Sequence, residues 1–236
     1  MNQMKPKMRV MSYIILSITG AVLIIIMSLS SSNMNNIPFF DKLFVGVVFM
    51  SSCILGISFA LRPNWLKGLA KRESSDVNKR QTRTTARKRQ GHHPECMRFK
   101  GHTIIIKNKI FCAGCLGLAT GSIISIFFMV IYIFLSSEIS SKIFPVLIFP
   151  GMILVAINYM ETAITMRNAA LHVISNIFLV IGFFFVVTGI LQLTGSIIYG
   201  VFGIIISFLW LDTRIQLSNF RHAGICKDCT EDCKAY

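Results

Sequence analysis

Two groups of histidine and cysteine residues have the spacing of metal ligands. In the first group, His93 and Cys96 are separated by two residues, and Cys112 and Cys115 follow with the same spacing. Two ligands at this spacing can wrap one face of an ion, and a second pair completes a tetrahedron. The sequence therefore predicts a structural zinc site from these four residues.

The segment between the two pairs has the pattern of a β-hairpin. The runs HTIII and KIFC are rich in β-branched residues and flank a tight polar turn at Asn108. Such a hairpin returns the second pair to the first, so we expect a small zinc-ribbon-like hairpin. His92 or His102 can replace His93 as its nitrogen ligand.

A second group of ligands lies near the carboxyl end of the sequence. It consists of His222, Cys226, Cys229 and Cys233. Mixed nitrogen and sulfur ligands favour Zn²⁺. The three cysteines also overlap part of a ferredoxin-type spacing, so an iron–sulfur cluster is the alternative cofactor. Thiol redox chemistry at the first Cys-x-x-Cys is a third option, because a helix amino terminus favours the thiolate.

Six apolar stretches must position these ligands. Hydrophobic residues make up 53% and charged residues 14% of the 236 positions, which excludes an ordinary soluble domain. A spanning helix needs about 20 apolar residues, and the candidates are 11–29, 43–61, 116–135, 143–159, 171–191 and 196–211. Pro145, Pro150 and Gly151 interrupt the fourth, where we expect a kink. The sequence thus predicts an all-α polytopic membrane protein with six transmembrane helices and a small cytoplasmic β-hairpin.

Positive residues predict how the helices are oriented. With these spans, 22 of the 24 lysine and arginine residues lie on one side, and only Lys42 and Lys142 lie on the other. Flanking positive charge stays in the cytoplasm. We therefore expect a multi-pass protein of the inner (cytoplasmic) cell membrane, with both termini and both ligand groups in the cytoplasm. Thiols there remain reduced, which favours metal binding over disulfides.

The same features divide the chain into five segments. We expect a two-helix membrane hairpin at 1–61, a basic linker at 62–91, the metal-binding hairpin at 92–115, a four-helix membrane region at 116–211 and a Cys-rich cytoplasmic tail at 212–236. The linker has eight basic residues between Lys71 and Arg89 and cannot form a core, so we expect disorder. Its positive charge favours a role as a topology signal or in contact with anionic lipid headgroups. Nucleic acid is disfavoured because no aromatic residue is interleaved for stacking.

Polar residues cluster around the turn between the fourth and fifth predicted helices. They are Asn158, Glu161, Thr165, Arg167, Asn168, His172 and Asn176. His172 and Asn176 lie one helical turn apart. In this position they can form an interhelical hydrogen bond, bind a metal or line a polar cavity. Glu161 and Arg167 are expected at the water boundary, where their side chains reach solvent.

Glycines accompany the second cysteine pair. Gly114 and Gly117 leave room for backbone amides to approach the sulfur atoms. Gly117 and Gly121 also present a smooth face for close helix packing, which would hold the hairpin rigidly to the bundle.

The stretch HHPEC…FCAGCLGLATG resembles a signature of uncharacterised prokaryotic membrane proteins that are grouped as a domain of unknown function. In that signature a His and Cys stretch leads into Cys-x-x-Cys-x-Gly at a helix start. The matching positions here are Cys96, Cys112, Cys115 and Gly117, with His92 or His93 matching more loosely. The resemblance implies a multi-spanning membrane protein and adds no reaction.

These observations predict a non-enzymatic module in the lipid bilayer that is stabilised by zinc. It would bind a protein partner, a second copy of the chain, a lipid or a small solute. The sequence contains no phosphate-binding loop, H-E-x-x-H helix or nucleophile elbow, so no residue is nominated as catalytic. A membrane redox protein with a cluster or reactive thiols is the alternative, and a small-solute transporter is the third hypothesis.

Overall fold

The fold is a bundle of helices with a small sheet at one end. The computed structural model describes residues 6–30, 37–61, 89–90, 101–106, 109–135, 146–164 and 168–227. Its helices are α1 (Pro6–Ser30), α2 (Phe39–Leu61), α3 (Ala113–Leu135), α4 (Ile148–Ala163), α5 (Ala169–Thr194) and α6 (Ile197–Lys227). Its strands are β1 (Arg89–Gln90), β2 (Thr103–Ile106) and β3 (Lys109–Cys112), in the sheet order β1-β3-β2.

Five of these helices, α1, α2, α3, α5 and α6, are long and apolar enough to cross a membrane. Their outward faces carry large apolar side chains, and Phe40, Phe127 and Ile198 are 79%, 62% and 77% exposed. Lipid is the solvent that tolerates such a surface, and helices satisfy their own backbone hydrogen bonds within it. The architecture is that of an all-α polytopic membrane protein.

The fourth predicted span corresponds to the shorter helix α4. It has 16 residues, which reach about 24 Å at 1.5 Å per residue, less than a hydrocarbon core of about 30 Å. Pro150 lies in its first turn, where its missing N–H breaks no hydrogen bond within the helix. Val146 is helical and Leu147 forms a turn directly before α4, and the expected kink stays a prediction. Residues 136–145 lie outside the described residues, and a count of six spans stays a prediction.

Helix α5 lies at the centre of the bundle and packs against α3, α4 and α6. The side chain of Asn168 caps its start by accepting a hydrogen bond from the Ala170 N–H at 3.0 Å. Gly195 ends it in the left-handed conformation, with φ of 63°, which glycine adopts without strain. These caps fix the position of His172, which lies in the first turn of α5.

Two glycines bring α3 and α5 into close contact. A Cβ at Gly117 would lie 2.5 Å from the carbonyl oxygen of Val173, and a Cβ at Gly121 would lie 2.9 Å from the Cα of Ile177. The predicted packing face of α3 is therefore confirmed. This contact places the start of α3, which contains Cys115, beside the start of α5.

The two predicted hairpin strands are present. Strands β2 and β3 are antiparallel, with Thr103 opposite Cys112 and Ile106 opposite Lys109, so the two-residue connection falls at the predicted polar turn. Strand β3 leads directly into α3, and Cys115 therefore lies in the first helical turn instead of before the helix. The zinc-ribbon interpretation stays a prediction because residues 91–100 lie outside the described residues.

Most of the predicted basic linker, at 62–88, also lies outside the described residues. Its described part is β1, which pairs in parallel with β3. The end of the predicted tail, at 228–236, is likewise not described.

Helix α6 continues past the predicted end of the last span at residue 211. It has 31 residues, about 46 Å in length, and thus extends beyond the hydrocarbon core. Its buried face continues through Trp210, Thr213 and Arg214. Arg214 was expected in a cytoplasmic tail, but it lies inside the bundle because this face packs against the other helices.

Candidate functional site

The candidate functional residues lie at one end of the bundle, which we call the cysteine end. Strand β3 and the starts of α3 and α5 meet there with the second half of α6. A cavity at this end is lined by Cys112, Cys115, His172, Arg214 and His222. These side chains come from one strand and three helices, so only the folded chain brings them together.

His172 occupies the centre of a buried polar chain. Its Nδ1 lies 2.9 and 3.0 Å from the two carboxylate oxygens of Glu161, and its Nε2 lies 3.3 Å from Nη2 of Arg214. Because a guanidinium only donates hydrogen bonds, Nε2 accepts, and the ring proton is on Nδ1 and is donated to Glu161. Arg214 thereby occupies the nitrogen through which His172 would otherwise bind a metal.

The side chain of Glu161 was expected to reach solvent, and that part of the prediction was wrong. Its side chain is 13% exposed, because the ring of His172 supplies a hydrogen bond that compensates for lost water. His172 thus makes the predicted interhelical hydrogen bond. Asn176 instead donates to the carbonyl of His172 within α5, at 2.5 Å.

The other members of the predicted polar cluster hold helices together or lie outside the described residues. Asn158 of α4 donates from Nδ2 to Oγ of Ser175 in α5, at 2.8 Å, and Asn168 caps α5. Thr165 and Arg167 are among the residues that the structure does not describe. Hydrogen bonds between helices therefore use much of this cluster.

Arg214 is the functional candidate that the sequence interpretation missed. Its side chain is 7% exposed, and its Nε has no hydrogen-bond partner among the described residues. Gly114 makes room for it, since a Cβ at Gly114 would lie 2.9 Å from Nη2 of Arg214 and 3.1 Å from Nε2 of His172. A side chain at position 114 would therefore collide with these two groups.

A second hydrogen-bond network fixes the position of α6 against α1 and α4. The hydroxyl of Tyr159 donates to the carbonyl of Trp210 at 2.8 Å, and the indole Nε1 of Trp210 donates to the carbonyl of Ser17 at 3.2 Å. The hydroxyls of Ser17 and Thr213 are 2.6 Å apart. Thr213 directly precedes Arg214 in α6. The network therefore holds the guanidinium at a defined depth in the bundle.

Three histidine rings form a row at the cysteine end. The ring centroid of His102 lies 5.4 Å from that of His172 and 5.7 Å from that of His222, and both pairs are edge to face. His102 directly precedes β2, whereas His222 belongs to α6. One member of the second predicted ligand group therefore lies beside the hairpin of the first group.

The structure brings some of the predicted metal ligands together. Cys112, Cys115 and His222 line the same cavity. Within the part of the chain that the structure describes, no three His, Cys, Asp or Glu side chains form a group that could hold a metal ion. The predicted ligands that lie outside this part are His93, Cys96, Cys229, Cys233 and the side chain of Cys226. Both four-ligand sets stay predictions.

The cavity has a volume of about 660 Å³ and extends from the cysteine end toward the middle of the bundle. It lies between α2 and α6, with α3 and α5 contributing further wall residues. Apolar side chains such as Phe49, Phe59, Phe183 and Phe208 form much of its wall. The cavity therefore has one polar end and a long apolar body.

Comparison of the chain with models of protein families, with curated proteins and with solved structures finds no match. The resemblance to a family of prokaryotic membrane proteins stays a prediction. A function has to be argued from the chemistry of the site, because a fold alone does not specify one.

Proposed function

We propose that this protein is a zinc-stabilised, non-enzymatic membrane module whose cysteine end binds Zn²⁺ and thereby fastens the hairpin to the helical bundle. The observation that supports this proposal most is the convergence of two separate ligand groups on one cavity, through Cys112, Cys115 and His222. Thiolate and imidazole are the ligands that structural zinc sites use. Such closed sites stabilise a fold and leave no open position for a reacting molecule.

The first zinc ion would be held by Cys112 and Cys115 together with His93 and Cys96. The second would be held by the group His222, Cys226, Cys229 and Cys233. Arg214 lines the same cavity as Cys112 and Cys115.

The distribution of charge supports a cytoplasmic location for the cysteine end. Lys7 and Arg9 lie in the first turns of α1, and Arg221 lies near the end of α6. Lys42 lies at the start of α2, toward the opposite end of the bundle. On the positive-inside rule the module belongs to the inner membrane, with its zinc ions in a reducing compartment.

Metal analysis of the purified full-length chain tests this proposal. We expect about two zinc ions per chain, because each predicted group supplies the four ligands of a tetrahedral site. The double substitution Cys112→Ser and Cys115→Ser should remove one of them. The control Cys53→Ser, in the buried part of α2, should retain both. A metal-free parent, a brown iron-containing protein or a double variant with undiminished zinc would contradict the proposal.

Thiol redox chemistry is a second candidate, favoured by the position of Cys112 and Cys115 on the wall of a cavity that reaches the apolar bundle. Oxidation of the two thiols to a disulfide would release two electrons and two protons, which a lipid-soluble quinone would take up to become a hydroquinone. Protein alkylated during isolation would then contain the Cys112–Cys115 disulfide and no zinc. Two reduced thiols in zinc-loaded protein would exclude this candidate.

A further inference from the structure

The cavity widens from a point of close contact between α2 and α6. At the end of the bundle opposite the cysteine end, a Cβ on Gly200 would lie only 2.9 Å from Cγ2 of Val45. Farther along, residues from Phe49 to Ala60 of α2 and from Ile204 to His222 of α6 line the two sides of the cavity. The space is therefore an elongated cleft that runs along the helices.

The polar end of this cleft lies at the depth of lipid headgroups. Arg214 is about 26 Å from Ile197 along α6 at 1.5 Å per residue, compared with a hydrocarbon thickness of about 30 Å. Trp210 and Tyr159 lie just below it and are joined by a hydrogen bond. The apolar walls of the cleft continue from this level toward the start of α6, so they lie at the depth of acyl chains.

Arg214 carries a donor that no described residue satisfies. Its Nη2 contacts His172, whereas its Nε has no hydrogen-bond partner in the described part of the chain, and the side chain is 7% exposed. A buried N–H without an acceptor is costly. Phosphate oxygens are acceptors that match the guanidinium fork.

We propose that the cleft binds one anionic phospholipid of the surrounding bilayer, with an acyl chain between α2 and α6 and the headgroup phosphate at Arg214. A water-soluble anion would leave the apolar walls without a partner. Arg221 lies about two turns farther along α6 and disfavours a positively charged choline group. The binding does not depend on the proposed zinc sites.

Fluorescence of Trp210 provides a direct readout. The chain has two tryptophans, Trp65 and Trp210, so Trp65→Phe leaves one fluorophore. The Trp210 ring stacks on Phe183 with centroids 6.4 Å apart, and Phe183 lines the cleft. The Trp65→Phe protein in detergent micelles is titrated with phosphatidylglycerol or phosphatidylcholine that carries bromine on its acyl chains. We expect half-maximal quenching at a lower mole fraction for phosphatidylglycerol, because both lipids offer a phosphate to Arg214 but only phosphatidylcholine brings a positive group toward Arg221.

Two substitutions test the two parts of the cleft. A Cβ on Gly56 would meet only Oγ of Ser122, at 3.8 Å, so Gly56→Leu should fit, fill the cleft and abolish saturable quenching by both lipids. Gly224→Leu is its control, since nothing described lies within 4 Å of a Cβ there. Arg214→Gln should raise the half-quenching mole fraction of both lipids by about tenfold, because both carry the phosphate and both lose a charge-assisted hydrogen bond. Arg221→Gln should leave the binding of phosphatidylglycerol unchanged and lower the preference for it over phosphatidylcholine.

Several results would overturn the proposal. Titration curves that Arg214→Gln leaves unchanged would contradict a phosphate site at Arg214, and equal curves for the two lipids would contradict the choice of an anionic lipid. Undiminished saturable quenching in Gly56→Leu would place the lipid elsewhere. If Arg214→Gln does not fold, Arg214→Lys replaces it and should weaken the binding of both lipids while keeping the charge. Unchanged titration curves in Arg214→Lys and in Gly56→Leu would together exclude the cleft.

Discussion

At the scale of single residues, the buried chain Glu161–His172–Arg214 is the least expected feature of the protein. It places a carboxylate and a guanidinium on opposite sides of one imidazole and connects α4, α5 and α6. A buried charge is tolerated when hydrogen bonds and an opposite charge compensate for lost water. The three residues should therefore contribute to stability as a unit.

Glu161→Gln tests this unit, because an amide removes the negative charge and keeps the size of the side chain. We expect the free energy of unfolding to fall by about 2–3 kcal/mol, the value of a hydrogen bond to a charged group. Unfolding in mixed detergent micelles, followed by Trp210 fluorescence, measures the change. Asp41→Asn in the first turn of α2 is the control and should cost no more than about 1 kcal/mol. Equal losses in the two variants would contradict a compensating role for Glu161.

Little in the sequence predicted the hydrogen-bonded chain Glu161–His172–Arg214. Glu161 and Arg214 were assigned to water because charged residues near the ends of apolar stretches normally reach solvent. Their burial depends on partners from other helices, which spacing along the chain does not reveal. One signal was available in α6: Trp210, Thr213 and Leu217 continue the helical period beyond residue 211, and no proline interrupts it.

At the scale of elements, close packing between α3 and α5 positions Cys115. The glycine face of α3 approaches the backbone of α5 at the carbonyl of Val173. Backbone atoms in the middle of a packed helix cannot move aside as a flexible side chain can. Small substitutions on this face should therefore separate the helices.

Gly117→Ala should lower the free energy of unfolding by about 1–3 kcal/mol, the range for an overpacked core. Gly224→Ala is a matched control in α6, because a Cβ there meets nothing described within 4 Å. The control should be neutral or stabilising by up to about 1 kcal/mol, since alanine is the better helix former. Denaturant titrations compare the two variants, and a neutral Gly117→Ala would show that the helices do not pack as described.

The elements were predicted well where the local pattern was decisive. Long apolar runs predicted the five long helices, and β-branched runs around a polar turn predicted β2 and β3. The ends were predicted less well: α3 begins at Ala113 and contains Cys115, and α6 extends to Lys227. Tertiary packing determines where these helices begin and end, and the length of an apolar run gives no information about that packing.

At the scale of the whole molecule, charge and ligands are concentrated at one end. Positive residues near the start of α1 and the end of α6 lie at the same end as the cysteine pair. This asymmetry is the basis of the predicted orientation. In that predicted orientation, both ligand groups would lie in the compartment where thiols remain reduced.

Reporter fusions test this orientation in bacterial cells. Alkaline phosphatase, which is active only outside the cytoplasm, should be active when fused between α1 and α2 and inactive when fused between α2 and β1. The expected contrast follows from the 22 positive residues that the predicted spans place on one side. The reverse pattern of activities would place the cysteine end outside the cytoplasm and would remove the argument against disulfides.

Zinc X-ray absorption on the purified full-length chain tests the central claim most directly, because it reports the ligands of the metal. We expect four ligands per ion, with sulfur at about 2.3 Å and nitrogen at about 2.0–2.1 Å. The combined change Cys112→Ser and Cys115→Ser should lower both the zinc content and the number of sulfur ligands. Protein without zinc, or zinc surrounded by oxygen and nitrogen ligands alone, would contradict a Cys and His zinc site at the cysteine end.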